Sequence, residues 1–222
     1  AGLVSYNGTP TVTMGTLRNS NPALRWEIRS TFNLGADLGL FSNRLLLTAE
    51  YYYSKTTDML YEYDVPVPPF SFNKLLANIG SMSNTGFELG IGVVPVSKKD
   101  MELNVNVNMS WQKNKLLSLN GRCNGREMTA SDITAIGGMN GAGFHGGNSD
   151  ILYQIVGQPL GVFYLPHCKG IVDNGHGHYK YDIADLNEDG VIDLSDHGDR
   201  YIAGQATPKM TLGSNISFRY KN

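Results

Sequence analysis

Apolar and polar residues alternate strictly along residues 101–111, which read MELNVNVNMSW. Neighbouring side chains of a β-strand point to opposite faces, so this pattern predicts one strand with an apolar face and a polar face. A strand in a soluble sheet usually has about 5–6 residues. A tilted strand needs about 9–11 residues to cross the apolar layer of a membrane. The length of the alternating segment therefore favours a membrane-crossing strand.

The polar face of this segment carries an unusual number of asparagines. Asparagine is depleted in ordinary strands, but it suits the wall of a water-filled lumen inside a transmembrane barrel. We therefore expect Asn104 and Asn106 to face the lumen. On the same strand, Val105 and Val107 are expected to face lipid.

The same alternation recurs in other parts of the chain. Strands are predicted near residues 27–40, 44–54, 85–94, 101–112 and 209–220. The later strands repeat the two faces, with lipid expected at Leu89 and Phe218 and the lumen at Glu88 and Arg219. One such strand is a weak signal, but several of similar length indicate a transmembrane β-barrel. A closed barrel needs about eight strands or more. The predicted fold class is therefore all-β, a segment of a large antiparallel transmembrane β-barrel within a longer polypeptide.

Short and long connections alternate between the predicted strands. Residues 41–43 and 95–100 form short turns, whereas residues 55–84 and 113–207 are predicted to be long loops. The sequence VPVPP at 65–69 supports loop structure, because proline lacks the N–H group that a strand ladder needs. Transmembrane barrels have short periplasmic turns and long extracellular loops. Both long loops are therefore expected at the extracellular end.

Aromatic side chains lie where these long loops begin. Tyr51, Tyr53 and Trp111 are expected to form part of the aromatic girdle at the membrane surface. Packing in the core of an ordinary β-sandwich is the alternative interpretation of these residues.

Composition excludes some classes of function. The formal net charge is −2, which gives no electrostatic reason to expect a nucleic-acid partner. The chain lacks a run of about 18 apolar residues, so no membrane-spanning helix is predicted. Cys123 and Cys168 are the only cysteines, and whether they pair stays open.

Residues 185–196, reading DLNEDGVIDLSD, have the spacing of a calcium-binding loop. Side-chain oxygens fall at loop positions 1, 3, 5, 9 and 12, which are Asp185, Asn187, Asp189, Asp193 and Asp196. Glycine occupies position 6, and Val191 offers its backbone carbonyl at position 7. Ca²⁺ prefers six to eight oxygen ligands, so these residues predict a structural Ca²⁺ ion that stabilises the long loop.

Two questions about the acidic loop remain open. Position 12 is aspartate instead of the longer glutamate, and Asp199 is an alternative to Asp196 as the closing ligand. The carboxylates are better explained as metal ligands than as catalysts, because no nucleophile–base pair accompanies them. We therefore expect no enzymatic activity, and a hydrolase that uses these aspartates is an alternative. A stronger rival is a soluble, secreted all-β module with a calcium-stabilised loop that binds carbohydrate.

Several motifs resemble the SusC/RagA family of TonB-dependent outer-membrane transporters from Bacteroidetes. The matching residues are Asn21-Pro22 with Leu24, Trp26 and Glu27, then Asn33–Gly35, Leu40–Leu45, Tyr51–Tyr53, Asn78–Gly80 with Met82, Asn84 and Gly86–Glu88, Gly157, Pro159 and Gly161 with Phe163-Tyr164, Asp185–Asp193, Asp199-Arg200 and Pro208-Lys209. In one respect the chain departs from the family pattern. Aspartate and arginine tend to follow the calcium-type loop directly, whereas Asp196-His197-Gly198 intervenes here.

The resemblance implies a plugged barrel in the outer membrane of a Gram-negative bacterium, where it takes up glycans or peptides as nutrients. It also implies three kinds of partner besides membrane lipid. These are a SusD-like surface lipoprotein, the nutrient itself, and TonB, which would bind through a region absent from this chain. Which nutrient is transported does not follow from these residues.

Overall fold

The computed structural model describes residues 2–6, 9–13, 18–123, 125–141, 149–173, 175 and 177–221. Its strands are β1 Gly2–Tyr6, β2 Thr9–Thr13, β3 Ile28–Leu40, β4 Leu45–Asp64, β5 Lys74–Lys98, β6 Met101–Ser118, β7 Gly121–Cys123, β8 Arg126–Met128, β9 Ile133–Met139, β10 Ser149–Ile155, β11 Val162–Pro166, β12 Cys168–Asp173, β13 Tyr179–Ile183, β14 Arg200–Gln205 and β15 Met210–Tyr220. Within the described ranges, the chain contains no helix that is long and apolar enough to cross a membrane. The all-β prediction is confirmed.

The main sheet contains a strand from each of the five alternating segments. Its strand order is β15-β6-β5-β4-β3, with β3 and β15 at its two edges. The strands β6 and β15 pair antiparallel from Met210 opposite Trp111 to Tyr220 opposite Met101. The described strands therefore form an open sheet and not a closed barrel.

The two long connections contain more strand than their sequence predicts. The sequence predicts loop structure for residues 55–84, but β4 continues to Asp64 and β5 begins at Lys74. The proline-rich residues 65–73 do lie outside the strands. Residues 113–207 also hold the end of β6 and the strands β7 to β14. Apolar and polar residues do not alternate strictly in these strands, because the strands do not have one apolar face and one polar face.

The chain divides into two compact units, and the boundary falls within β3, β4, β5 and β6. The first unit comprises residues 1–29, 56–81 and 118–130. Its core residues include Tyr63, Leu75 and Ala77. The buried Tyr63 hydroxyl donates a hydrogen bond to the Leu119 carbonyl oxygen at 2.7 Å. Burial raises the pKa of this phenol to about 12.

Asn78 fixes the segment before β3 within this unit. Its side-chain oxygen accepts a hydrogen bond from the Arg25 backbone N–H at 2.9 Å. Its amide donates to the backbone oxygens of Arg25 at 2.7 Å and Asp58 at 2.9 Å. The Arg25 guanidinium also forms a 2.5 Å ion pair with Asp58, and this hydrogen bond lowers the pKa of the carboxyl group. The family-like asparagine at 78 therefore has a structural role.

The second unit comprises residues 30–55, 82–117 and 131–222. It carries the alternating parts of the main sheet, a four-stranded sheet in the order β14-β11-β10-β9, and the β12–β13 hairpin. Arg200, at the start of β14, donates to the Tyr153 hydroxyl at 2.7 Å and to the Leu194 carbonyl at 2.9 Å. This arginine ties the end of the acidic loop to the four-stranded sheet.

Candidate functional site

The polar face of the main sheet forms a shallow hollow of about 480 Å³, part of whose lining is Thr48, Glu50, Glu88, Gly90, Asn108, Ser110, Thr211 and Gly213. Polar side chains on this face form hydrogen bonds and ion pairs with one another. The Asn33 amide donates to Glu50 at 2.5 Å, and Arg219 forms a 2.7 Å ion pair with Glu102. Small residues on this face leave room for larger neighbouring side chains. At Gly86, for example, a Cβ atom would lie 2.3 Å from the Tyr52 ring.

The opposite face of the sheet is apolar and exposed. Its exposed large side chains include Phe32, Leu34, Leu38, Tyr51, Tyr53, Phe87, Trp111, Met210, Leu212, Ile216, Phe218 and Tyr220. Phe218, for instance, keeps 61% of its surface exposed. An exposed apolar surface of this extent marks a site of contact with a membrane or a protein.

The register of β6 and β15 sorts the predicted side chains onto these two faces. Leu103 lies opposite Phe218 and Val105 opposite Ile216, so these apolar residues share a face. Asn106 lies opposite Asn215 on the other face. The apolar side chains of β6 up to Trp111 are half-buried or exposed, and their partners Phe218 and Ile216 are exposed, so this face is not enclosed between two sheets as in a soluble sandwich.

The height of the apolar face matches a membrane. Met101 pairs with Tyr220 at one end of this face, and Trp111 pairs with Met210 at the other end. The two ends are ten residues apart along β6. At about 3.4 Å per residue, this distance is about 34 Å along the strand. A tilt of about 35–45° reduces it to roughly 24–28 Å, close to the apolar band of about 25 Å on transmembrane barrels.

The acidic loop folds around hydrogen bonds from its own backbone. Asp185 accepts from the Gly190 N–H at 2.8 Å, and Asp189 accepts from the Val191 N–H at 2.7 Å. Asn187 accepts from the Asp189 N–H at 3.2 Å. Gly190 has a φ of +84°, which glycine adopts without steric cost. The predicted ligands at loop positions 1, 3 and 5 are thus turned toward the same short stretch of chain.

Asp199, and not Asp196, lies against this loop. The Asp199 side chain is fully buried and accepts hydrogen bonds from the backbone N–H groups of Leu186 at 2.6 Å and Asp193 at 2.8 Å. These backbone bonds lower the pKa of its carboxyl group. Asp196 is exposed. The sequence predicts either residue as the closing ligand, and Asp199 is the one that packs against the loop.

One oxygen of the loop has no hydrogen bond. The Oδ1 atom of Asp185 is buried, and within the described residues it has no hydrogen-bonding partner. A buried carboxylate oxygen of this kind suits a cation. However, no group of three or more His, Cys, Asp or Glu side chains converges on a metal position in the described part of the chain. The predicted ligands Asp193 and Val191 are both exposed, so calcium remains a prediction.

The two cysteines are free thiols. Cys123 accepts a hydrogen bond from the Asn21 amide at 3.4 Å. Cys168 is exposed and donates to the Gly170 carbonyl oxygen at 3.2 Å.

Comparison with known proteins agrees with this geometry. The family model "TonB dependent receptor-like, beta-barrel" matches residues 2–211. The chain is 32% identical over 215 residues to TonB-dependent receptor P3 of Formosa agariphila, covering 91% of this chain and 20% of that protein. It is 28% identical over 202 residues to TonB-dependent receptor SusC of Bacteroides thetaiotaomicron, covering 91% of this chain and 19% of that protein. This chain thus spans about one fifth of the length of these relatives.

Solved structures show the same fold. The structure of the RagAB peptide transporter matches 99% of this chain and 22% of the compared chain, with a TM-score of 0.68 and 21% identity. The RagAB peptide importer in the open-open state matches 92% of this chain and 20% of the compared chain, with a TM-score of 0.69 and 22% identity. Since the family model covers nearly the whole chain, this protein belongs to the TonB-dependent receptor-like β-barrel family.

Proposed function

We propose that this chain forms part of the barrel wall of an outer-membrane TonB-dependent transporter that imports nutrients such as glycans or peptides. The observation that carries this proposal is the sheet with two chemically distinct faces. One face is exposed and apolar over about the thickness of a membrane. The other is polar and lined by small residues, as the wall of a wet lumen needs to be. The chain itself has no enzymatic activity in this proposal.

The proposed location is the outer membrane of a Gram-negative bacterium, and the proposed partners follow from the family. They are a SusD-like surface lipoprotein, an oligosaccharide or peptide nutrient, and TonB through a region outside this chain. The matched RagAB structures are described as a peptide transporter and a peptide importer, which supports this class of cargo. The soluble carbohydrate-binding alternative is not favoured, because it leaves the apolar face of the sheet in water.

The orientation of the sheet is tested by labelling single cysteines in intact cells. Asn73 and Asn140, which are both exposed, lie in the two long connections that the proposal places outside the cell. We expect N73C and N140C to react with a membrane-impermeant maleimide before lysis, and K99C in the short turn to react only after lysis. Replacement of Cys123 and Cys168 by serine removes the background. Labelling of K99C alone in intact cells would reverse the proposed orientation.

A structural Ca²⁺ ion in the acidic loop is the second part of the proposal. Its ligands would be Asp185, Asn187 and Asp189 through side chains, Val191 through its carbonyl oxygen, and Asp193, with Asp199 or Asp196 completing the set. The buried, unpartnered oxygen of Asp185 supports it. When bound, the ion would neutralise aspartates that otherwise repel one another. With the ion bound, its ligand residues would keep the loop in the conformation that the backbone hydrogen bonds define.

Calcium binding is tested by protease resistance of the loop. Calcium at 100 times its Kd should stabilise the ordered loop by about 2.7 kcal/mol, so cleavage within residues 185–199 should slow about 100-fold. Asp189→Ala should abolish this protection, whereas Leu194→Ala should leave the ligand set intact. Equal cleavage of the wild-type loop in calcium and in chelator would contradict the proposal.

A further inference from the structure

Three lysines continue the apolar face of the main sheet toward the long connections. Lys55 lies two residues beyond Tyr53 in β4, and Lys113 and Lys115 follow Trp111 at the same two-residue interval in β6. All five side chains are exposed, and the residues between them are less exposed. The lysines are therefore on the same face as the aromatic residues, immediately beyond them.

The other face at this level is covered by the chain itself. Leu116, between the lysines and the end of β6, is fully buried. The Asn114 side chain accepts a hydrogen bond from the Leu160 backbone N–H at 2.6 Å. Since neighbouring side chains of a strand point to opposite sides, Lys113 and Lys115 point away from this covered side.

The register of β4, β5 and β6 brings the lysines close to one another. A Cβ atom at Gly90 in β5 would lie 3.5 Å from the Thr48 Cβ in β4 and 3.4 Å from the Asn108 Oδ1 in β6. The Ser54 hydroxyl reaches the Asn84 carbonyl oxygen at 3.4 Å, so this register of β4 and β5 continues up to the lysine level. Lys55 and Lys115 are then separated by one strand, which places their Cα atoms about 10 Å apart.

The positive charge of these lysines is not neutralised within the described chain. None of the three forms an ion pair with a described residue, whereas Lys74 pairs with Asp64 at 2.7 Å. The carboxylates nearest in sequence to the aromatic residues, Glu50 and Glu88, line the hollow on the opposite face of the sheet. The outward face therefore carries an unpaired cationic row directly above an aromatic row.

We propose that Lys55, Lys113 and Lys115 bind the phosphate groups of a phosphorylated glycolipid in the outer leaflet of the outer membrane. Lipid headgroups begin at the depth where the apolar face ends, and lysines there attract anionic lipid. A headgroup with two phosphate monoesters carries roughly −3 to −4 charges at pH 7, enough to neutralise three ammonium groups, whereas a headgroup with one phosphate does not. The acyl chains would lie over the aromatic residues below. This inference rests on the proposed membrane orientation of the sheet.

The test compares lipid binding by the full-length transporter and its variants. The purified, delipidated protein is mixed with diphosphorylated lipid A, dephosphorylated lipid A, phosphatidylglycerol or inorganic phosphate, and bound lipid is counted by native mass spectrometry. We expect the triple variant K55Q/K113Q/K115Q to bind diphosphorylated lipid A at least about tenfold more weakly than the wild type. The control variant K98Q/K99Q, which changes exposed lysines in and beside the short turn, should bind like the wild type.

The outcomes separate the alternatives. Equal binding by the triple variant and the wild type would overturn the lysine site. The choice of ligand would be overturned if the wild type bound dephosphorylated lipid A or phosphatidylglycerol as tightly as diphosphorylated lipid A. Competition by inorganic phosphate at matched phosphate concentration would also overturn it. Fractionation of cell membranes tests the membrane location separately. An outer-membrane protein that does not bind lipid A would thus refute this inference and leave the proposed function intact.

Discussion

Val107→Lys is expected to destabilise the folded barrel by roughly 2–4 kcal/mol, because it places a charge near the middle of the lipid-facing wall. Val107 pairs with Ser214 about midway between the two ends of the β6–β15 register. The loss should appear as a lower urea midpoint for the full-length protein in lipid vesicles, and as a smaller folded fraction on unheated gels.

Asn106→Lys is the matched control for this prediction, since Asn106 is the neighbouring residue on the polar face. A lysine in a wet lumen keeps its hydration, so this variant should lose less than about 1 kcal/mol. A larger loss for Asn106→Lys would show that the faces are assigned the wrong way round, and equal losses would show that the two faces do not meet different media.

Asp199→Ala is expected to cost about 3 kcal/mol of local stability in the acidic loop in the absence of calcium. The change leaves the buried N–H groups of Leu186 and Asp193 without their charged acceptor. Hydrogen–deuterium exchange of residues 185–199 in the full-length protein should measure this loss as faster exchange at the two amides.

Asp196→Ala provides the control, because Asp196 is exposed and lies only three residues away. It should change the opening free energy of the loop by less than about 0.5 kcal/mol. If Asp196→Ala weakened the loop as much as Asp199→Ala, Asp196 would instead be the closing residue that the twelve-position spacing predicts.

The contrast between these two aspartates shows where sequence spacing stops being informative. Ligand position 12 points to Asp196, but three extra residues before Arg200 let the chain turn back. Gly198 makes this turn possible, since a Cβ atom there would lie 2.3 Å from the Asp193 carbonyl oxygen. The fold buries Asp199, the aspartate next to Arg200. This Asp-Arg pair was the feature of the sequence that pointed to Asp199.

The loop prediction for residues 55–84 failed for a related reason. Alternation marks a strand only where one side faces an apolar medium and the other faces water. Beyond residue 55, β4 and β5 enter the first unit, where Tyr63, Leu75 and Ala77 pack in a core of their own. The abundance of threonine and tyrosine in residues 56–63 indicated strand there, although the alternation did not.

The sequence by itself determined the all-β class, the five strands of the main sheet, and which side chains share each face. It did so because the period-2 pattern is a local property of each strand, which no distant contact needs to supply. The tertiary structure alone decided how far the strands extend past the apolar face, which aspartate is buried beneath the acidic loop, and which lysines become neighbours. These outcomes depend on register and on packing between residues far apart in the chain, so local pattern carries no information about them.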